Sequence, residues 1–184
     1  MRKNLKVGFV GLTHLGLTYL AASSEKGFKV IGIDLNQNKI NKLKKFDIEY
    51  EEPNLRKTIF QNKKNIFFSS HLNNLMDCNI VFISQDIATN DKGKGDFKNL
   101  KKLINSASKF LNKKSIMVIL SQVLPGFTRT VNFDHTRLYY QAETLIFGNA
   151  LERALKPERI IIGCENSESR INKFFSNYLN NYNC

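Results

Sequence analysis

Two features near the start of the chain could together bind a dinucleotide, and the first is a glycine turn. The stretch Val7–Gly16 reads V-G-F-V-G-L-T-H-L-G, with Gly11 and Gly16 at the first and third positions of the turn. Such a turn brings backbone amides close to a pyrophosphate, and its last glycine lets a helix pack on the preceding strand. Thr13 occupies the second position, where glycine is usual and where a Cβ would crowd the pyrophosphate. Alone, the turn is equally consistent with a structural loop.

The second feature is an acidic residue after the next apolar run. Asp34 follows that run, about twenty residues beyond Gly11. A carboxylate there accepts hydrogen bonds from both hydroxyls of the adenosine ribose and repels a 2′-phosphate. Asp34 could equally cap a helix that starts near Asn36, and this role is compatible with the first. The order strand, glycine turn, helix, strand and aspartate predicts dinucleotide binding, with NAD favoured over NADP.

The elements that must position these residues alternate between short apolar runs and amphipathic stretches. Six runs rich in Val, Ile and Phe are typical of strands covered on both faces: Leu5–Val10, Phe28–Ile33, Asn65–Phe68, Asn79–Ile83, Ser115–Leu120 and Arg159–Ile162. Leu15–Lys26 and Phe97–Leu111 carry apolar residues at helical spacing. The pattern predicts an α/β fold, a Rossmann-type doubly wound parallel sheet of about six strands. Residues 1–184 are expected to form this single NAD-binding domain, which ends in a helix over Ile171–Cys184.

Composition argues against several other classes of protein. The chain has 184 residues, 42% of them hydrophobic, and a formal net charge of +12, but its lysines are dispersed. Joint enrichment in Lys, Asn and Ile is typical of an AT-rich genome, so we expect no nucleic-acid partner. No apolar run approaches the roughly 20 residues of a membrane span, so we expect no membrane association. Three cysteines without metal-ligand spacing, Cys78, Cys164 and Cys184, predict free thiols, no metal site and a reducing cytoplasm.

Six ordered motifs extend from the glycine turn towards the end of the chain. They are Gly11-Leu12-Thr13-His14-Leu15-Gly16-Leu17, Glu52-Pro53-Asn54-Leu55, Ile87-Ala88-Thr89-Asn90, Ser121-Gln122-Val123-Leu124-Pro125-Gly126, Ala142-Glu143-Thr144-Leu145-Ile146-Phe147-Gly148 and Pro157-Glu158-Arg159-Ile160-Ile161-Ile162-Gly163. In this order they resemble the UDP-glucose/GDP-mannose dehydrogenase family. Its motifs read G-x-G-Y-V-G-L, E-P-x-L, P-T-D, S-T-V-P-P-G, P-E-F-L-R-E-G and P-x-R-I-I-x-G. The similarity is to the N-terminal NAD-binding domain, from about Lys6 to Gly163.

The resemblance implies roles for individual residues. Those on the cofactor side would be Gly11, Thr13, His14, Leu15, Gly16, Asp34, Lys39, Thr89 and Gln122. Those on the substrate side would be Glu143, Thr144, Leu145 and Phe147. Glu143 and Gln122 would be the catalytic residues, because the Gln122 amide can still position a water molecule by donating and accepting hydrogen bonds. Lys39 is equally consistent with a solvated helix lysine, and His14 replaces an aromatic residue of the family.

The resemblance also implies an activity and a missing part. The family oxidises the C6 alcohol of a nucleotide sugar to a carboxylate, with two hydride transfers to NAD and a cysteine nucleophile in a C-terminal domain. This chain departs from the family where Gln122 replaces a threonine and Phe147 replaces a glutamate. It lacks the dimerisation helix and the cysteine-bearing domain, so we expect it to be inactive alone. The alternative is a standalone NAD-binding module with a structural or sensing role.

Aromatic residues at the end of the chain raise the question of a partner. Tyr182 adds a further aromatic ring to the apolar residues that recur at helical spacing on the terminal segment, which are Ile171, Phe174, Phe175, Tyr178 and Leu179. Part of this set should pack on the sheet, and the remainder is expected to stay exposed. We therefore expect weak self-association as a homodimer, or binding of a companion chain, through this end. The alternative is that all these side chains complete the core of a monomer.

Overall fold

The computed structural model, described for residues 5–87, 97–166, 168 and 170–182, shows a seven-stranded sheet with helices on both faces. The strands are β1 (Lys6–Val10), β2 (Lys29–Ile33), β3 (Ile66–Ser69), β4 (Ile80–Ile83), β5 (Ile116–Ile119), β6 (Leu138–Ala142) and β7 (Ile161–Gly163). The helices are α1 (His14–Glu25), α2 (Gln37–Lys44), α3 (Leu55–Gln61), α4 (Lys98–Ser108), α5 (Ala150–Leu155) and α6 (Lys173–Leu179). The spatial order β3-β2-β1-β4-β5-β6-β7 reverses between β1 and β4, at the switch point of a doubly wound fold. The predicted Rossmann-type fold is confirmed.

Two apolar layers cover the two faces of the sheet. Along β1, Val7 and Phe9 belong to one layer and Val10 to the other, as the alternation of side chains in a strand requires. The first layer contains α1, which is buried from its first residue up to Ser24 and contacts α3 and α5. The second layer contains α4, through Leu100 and its apolar neighbours. The sheet is thus covered on both faces, as its Val- and Ile-rich strands predicted.

The number of strands and the direction of the last strand differ from the prediction. The structure adds β6, whose sequence L-Y-Y-Q-A lacks the Val and Ile by which the other strands were found. β6 pairs parallel with β5, whereas β7 pairs antiparallel with β6. The direction changes because α5 has only six residues and is therefore about 9 Å long, too short to return the chain along β6.

The terminal helix α6 is shorter and more deeply buried than expected. Phe175, Tyr178 and Tyr182 are each at most 3% exposed. The hydroxyls of Tyr178 and Tyr182 lie 2.8 and 3.2 Å from the hydroxyl of Ser23 on α1, and 2.9 Å from each other. These three rings therefore complete the core, and the expectation that they lie on an exposed surface is wrong. Ile171, on the segment before α6, is exposed, and association through this end stays a prediction.

None of the helices within the described ranges has the length and apolar character that crossing a membrane requires. The same residues contain no group of three or more His, Cys, Asp or Glu side chains placed to hold a metal ion.

Replacing Tyr178 by alanine should destabilise the fold strongly, because its ring is 1% exposed and its hydroxyl bonds to Ser23. We expect the free energy of unfolding to fall by about 3–5 kcal/mol, the range for removal of a buried aromatic side chain. Urea denaturation followed by circular dichroism measures this change. The control is Asn177→Ala at the exposed neighbouring position, expected within about 0.5 kcal/mol of the wild type. Equal losses in the two variants would contradict the core position of Tyr178.

Candidate functional site

An open groove lies at the carboxyl ends of the central strands, at the switch point. Two clefts form it, each defined here by the element beside it. The β6 cleft, of about 480 Å³, is lined by His14, Gln122 and Glu143 among others. The α4 cleft, of about 500 Å³, lies between Leu35 after β2 and the side chains of α4. Asp86 and Ile87 line both, so the two clefts meet at the segment that follows β4.

The loop between β1 and α1 requires both of its glycines. Gly11 has a φ of +93°, and a Cβ on it would lie 2.7 Å from the backbone of Gln85. A Cβ on Gly16 would lie 2.1 Å from the carbonyl oxygen of Gly11. Backbone atoms cannot yield at such distances, so only glycine fits at either position. The loop therefore lies directly against the segment after β4, and α1 begins in close contact with β1, as in a dinucleotide-binding turn.

Thr13 is accommodated in this loop by an inward hydrogen bond. Its hydroxyl donates to the carbonyl oxygen of Ser84 at 3.0 Å, and the residue is 9% exposed. The Ser84 hydroxyl in turn donates to the carbonyl oxygen of Gly11 at 2.9 Å. Thr13 is the N-cap of α1, yet its side chain makes no capping hydrogen bond. The first N–H groups of α1 are therefore left without a side-chain cap, which suits an anionic ligand.

Asp34 lies at the end of β2 beside the same loop. Its Oδ2 accepts a hydrogen bond from the backbone N–H of Leu12 at 3.2 Å, and its Oδ1 accepts one from Asn36 at 3.0 Å. The Lys39 ammonium lies 3.4 Å from Oδ2. Asn36 itself caps α2, since its side chain accepts from the N–H groups of the first turn. Asp34 is thus not needed as the helix cap, and its carboxylate contacts the loop between β1 and α1, with Lys39 as its counter-charge.

A buried carboxylate, Glu52, holds one wall of the β6 cleft. Its side chain is 1% exposed, and it accepts hydrogen bonds from the backbone N–H groups of Gly148 at 3.0 Å and Ala150 at 2.8 Å. The Nε2 of His14 lies 3.1 Å from its Oε2, and the His14 ring stacks on Phe147 with centroids 4.4 Å apart. Burial alone would raise the Glu52 pKa, but these hydrogen bonds outweigh it and leave the pKa below its ordinary value. Glu52 thereby joins the start of α1 to the segment after β6.

The predicted catalytic pair meets in the β6 cleft. Gln122 follows β5 and Glu143 follows β6, and the Gln122 amide Nε2 donates to Glu143 Oε1. The backbone N–H of Leu145 donates to the other carboxylate oxygen at 2.9 Å. Leu15, Leu145 and Phe147 line the same cleft. The structure therefore brings most of the residues expected near nicotinamide and substrate to one place.

Two predicted site residues do not join this group. Thr144 lines a small internal cavity together with Tyr19 and Tyr178, and its carbonyl oxygen accepts a hydrogen bond from Arg153 at 2.8 Å. It therefore lies among core residues, because alternate residues of an extended segment point to opposite sides. Thr89 lies outside the described residues.

Asp86 is the functional candidate that the sequence analysis missed. It follows β4 and lines both clefts, so it lies where they join. Partial burial raises the pKa of its carboxyl group; the Thr13 hydroxyl and the charge of His14 oppose that shift, and the Glu143 carboxylate adds to it. An acidic residue directly after a buried strand next to the switch point was the available signal, since ligands of such sheets bind at the carboxyl ends of the strands.

Comparison with known proteins identifies the family. The family model described as "UDP-glucose/GDP-mannose dehydrogenase family, NAD binding domain" matches residues 5–179. The chain belongs to this family. It is 29% identical over 174 residues to the UDP-glucose 6-dehydrogenase of Rickettsia bellii, and this alignment covers 90% of the chain and 40% of the relative. It is 23% identical over 175 residues to the UDP-N-acetyl-D-mannosamine dehydrogenase of Methanococcus maripaludis, covering 91% of the chain and 41% of the relative.

Solved structures agree on the fold. The GDP-mannose dehydrogenase of Pseudomonas aeruginosa superimposes with a TM-score of 0.85 at 18% identity, covering all of this chain and 45% of the solved one. The chain spans about 40% of the length of the curated relatives it matches. It therefore corresponds to the NAD-binding domain of the UDP-glucose/GDP-mannose dehydrogenase family, with NAD as the cofactor of that domain.

Replacing Glu52 by glutamine should destabilise this family member in a pH-dependent way. The folded-state pKa of Glu52 is lowered, so its stabilising contribution is present above the unfolded value of 4.5 and is lost as the pH falls through the folded value. At pH 7 we expect the free energy of unfolding to fall by about 1–3 kcal/mol, because a buried hydrogen-bond network loses its charged acceptor.

Urea denaturation at pH 7 and at a series of lower pH values measures the difference between Glu52→Gln and wild type. This difference should narrow as the pH drops below 4.5. Glu51→Gln, at the exposed preceding position, serves as the matched control and should follow the wild type throughout. A difference independent of pH would show that the network does not depend on the ionised carboxylate.

Proposed function

We propose that the chain binds NAD in the groove and supplies the cofactor half of a nucleotide-sugar 6-dehydrogenase. In that reaction the C6 alcohol of the sugar is oxidised to a carboxylate. The observation that carries the proposal is the convergence of the two-glycine loop, the uncapped start of α1 and the Asp34 carboxylate at one end of the groove. The loop and the start of α1 would meet the diphosphate, and Asp34, about twenty residues further along the chain, would meet the adenosine ribose.

The donors and acceptors present fit NAD part by part. The first N–H groups of α1 suit the diphosphate, because a helix N-terminus favours negative charge. Asp34 suits the adenosine ribose, and the α4 cleft beside it suits the adenine. By elimination, the β6 cleft would hold the nicotinamide and the reacting carbon of the sugar. The bound cofactor would supply hydride acceptance, while the chain positions the reactants.

Within the β6 cleft, the chain would hold a water molecule and a proton. Glu143 is fixed by the Gln122 amide on one oxygen and by the Leu145 N–H on the other, so its carboxylate has a defined orientation. Gln122 retains a carbonyl oxygen that can accept a hydrogen bond from water or from a sugar hydroxyl. Phe147, where the family carries a glutamate, is 80% exposed and offers an apolar surface to the sugar.

A specific observation favours a second candidate function, that of a standalone NAD-binding module with a structural or sensing role. The replacement of a family glutamate by Phe147, stacked on His14, removes a carboxylate from the reaction site and adds a stacking contact in its place.

In the first function, the nucleotide-sugar half would come from a companion chain or segment. The complex would be cytoplasmic, where reducing conditions fit the free thiols of the chain.

NAD should bind more tightly than NADP by about tenfold or more, because the Asp34 carboxylate opposes a 2′-phosphate at close range. Titration calorimetry with both cofactors measures the ratio of dissociation constants. Asp34→Asn should lower this ratio severalfold by removing the charge. The control is Asp47→Asn, an exposed aspartate beyond the end of α2, which should leave the ratio unchanged. Equal or tighter binding of NADP by the wild type would refute the role of Asp34.

The 184-residue chain alone should not oxidise UDP-glucose or a related nucleotide sugar. The proposed reaction needs a thiolate near the reacting carbon, and neither described cysteine meets that need. Burial raises the pKa of the Cys78 thiol to about 12, and Cys164 lines a separate cleft near β7. NADH absorbance during incubation with NAD and the sugar measures turnover, with a full-length family enzyme as the positive control. Sustained NADH production by the purified chain would contradict this expectation.

A further inference from the structure

The β6 cleft is acidic although the chain as a whole is strongly basic. Asp86 and Glu143 both line it, and its lining, so far as the described residues form it, contains no Lys or Arg. The formal net charge of the chain is +12, so a cleft whose lining includes two acids and no Lys or Arg among the described residues departs from the average surface. His14, the other titratable group there besides Tyr140, has its Nε2 against the buried Glu52 carboxylate. His14 is thus paired with Glu52, and the acids of this cleft that have no ion-pair partner among the described residues are Asp86 and Glu143.

Neither carboxylate has a cationic partner of its own among the described residues. Glu143 is held by the neutral amide of Gln122 and by a backbone N–H. Asp86 has a raised pKa, mainly because of partial burial and also because of the Glu143 charge. Two basic groups act on it, and each has another partner: His14 lies against Glu52, and the Lys39 ammonium forms an ion pair with Asp34. Two neighbouring acids without an ion-pair partner would be stabilised by a cationic ligand.

We propose that the β6 cleft selects the oxidised cofactor, with Asp86 and Glu143 favouring the cationic nicotinamide ring of NAD⁺ over the neutral ring of NADH. This inference rests on the proposed function, in which the nicotinamide half occupies the β6 cleft. The adenosine and the diphosphate are common to both forms, so only contacts with the ring can distinguish them. We expect NAD⁺ to bind about tenfold more tightly, a ratio that corresponds to ~1.4 kcal/mol.

The overall charge of the chain acts in the opposite direction. NADH carries one more net negative charge than NAD⁺, so a basic protein without local acids would attract NADH more strongly. A preference for NAD⁺ would therefore arise from the two carboxylates and not from the net positive charge of the chain. A tenfold preference lowers the reduction potential of the bound two-electron couple by about 30 mV. It would help to release NADH after a hydride transfer, and it would make a non-catalytic module responsive to the NAD⁺ level.

Titration calorimetry with NAD⁺ and NADH in turn tests the inference by the ratio of the two dissociation constants within each protein. The proteins are the wild-type chain, Asp86→Asn, Glu143→Gln and the double variant. The matched control is Asp77→Asn, which removes an exposed carboxylate before β4, at the opposite end of the sheet. We expect NAD⁺ to be preferred about tenfold in wild type and control and about threefold in each single variant, and we expect the double variant to show no preference for NAD⁺ or a preference for NADH. Higher salt should reduce the wild-type ratio because it screens the charges.

Each remaining outcome also decides the question. A wild-type ratio near or below one, or a ratio that the cleft variants leave unchanged, would overturn the selection of NAD⁺ while leaving NAD binding intact. Failure of every protein, wild type included, to bind either form at millimolar concentration would overturn the proposed function itself. Because both constants are measured on the same protein, a loss of folded material in one variant cancels in its ratio.

Discussion

The close approach of α1 to β1 is the constraint on which the rest of this fold depends. A Cβ on Gly16 would lie 2.1 Å from the carbonyl oxygen of Gly11, so the helix begins too close to the end of β1 to leave room for a side chain there. At that separation α1 is buried almost throughout, and the helices around it must fit its surface. The same approach directs the first N–H groups of α1 towards the groove. One steric condition thus determines both the packing of the first layer and the place where an anion can bind.

Glu52 connects the start of α1 to the wall of the β6 cleft. Its carboxylate accepts hydrogen bonds from the segment after β6 while it lies against His14 at the start of α1. A buried carboxylate without such donors would be costly, so both segments must stay in register for the charge to be satisfied. The position of Phe147, which stacks on His14, follows from this arrangement. The wall of the β6 cleft is therefore held by hydrogen bonds that also reach the start of α1. A substitution that moves one of these two segments would be expected to move the other.

The sequence predicted those parts of the molecule that local chemistry determines. The glycine turn, Asp34 and the Val- and Ile-rich strands are visible in the sequence because φ values, ribose recognition and burial on two faces each demand particular residue types. β6 was not predicted because it contains Tyr and Gln, and because its burial depends on the strands that pair with it. The burial of Tyr178 and Tyr182 also depends on a distant part of the chain, since their hydroxyls bond to Ser23, a residue far away in the sequence. Asp86 was overlooked because its position between two clefts exists only after β4 is placed beside β1.

The three carboxylates along the groove differ in how their charge is balanced. This difference makes the two ends of the groove electrostatically distinct. Asp34 has an ammonium 3.4 Å away, Glu143 has neutral N–H donors, and Asp86 has a raised pKa. NAD presents an adenosine ribose beside the neutral adenine at one end, anionic phosphates in the middle and a nicotinamide ring of variable charge at the other end. In the proposed binding mode, the balanced carboxylate would face the adenosine ribose, the helix N-terminus would meet the phosphates, and the less balanced acids would line the cleft left for the nicotinamide ring. A dinucleotide bound in the reverse direction would place the neutral adenine beside those acids, so the charge pattern favours the proposed orientation for the oxidised cofactor.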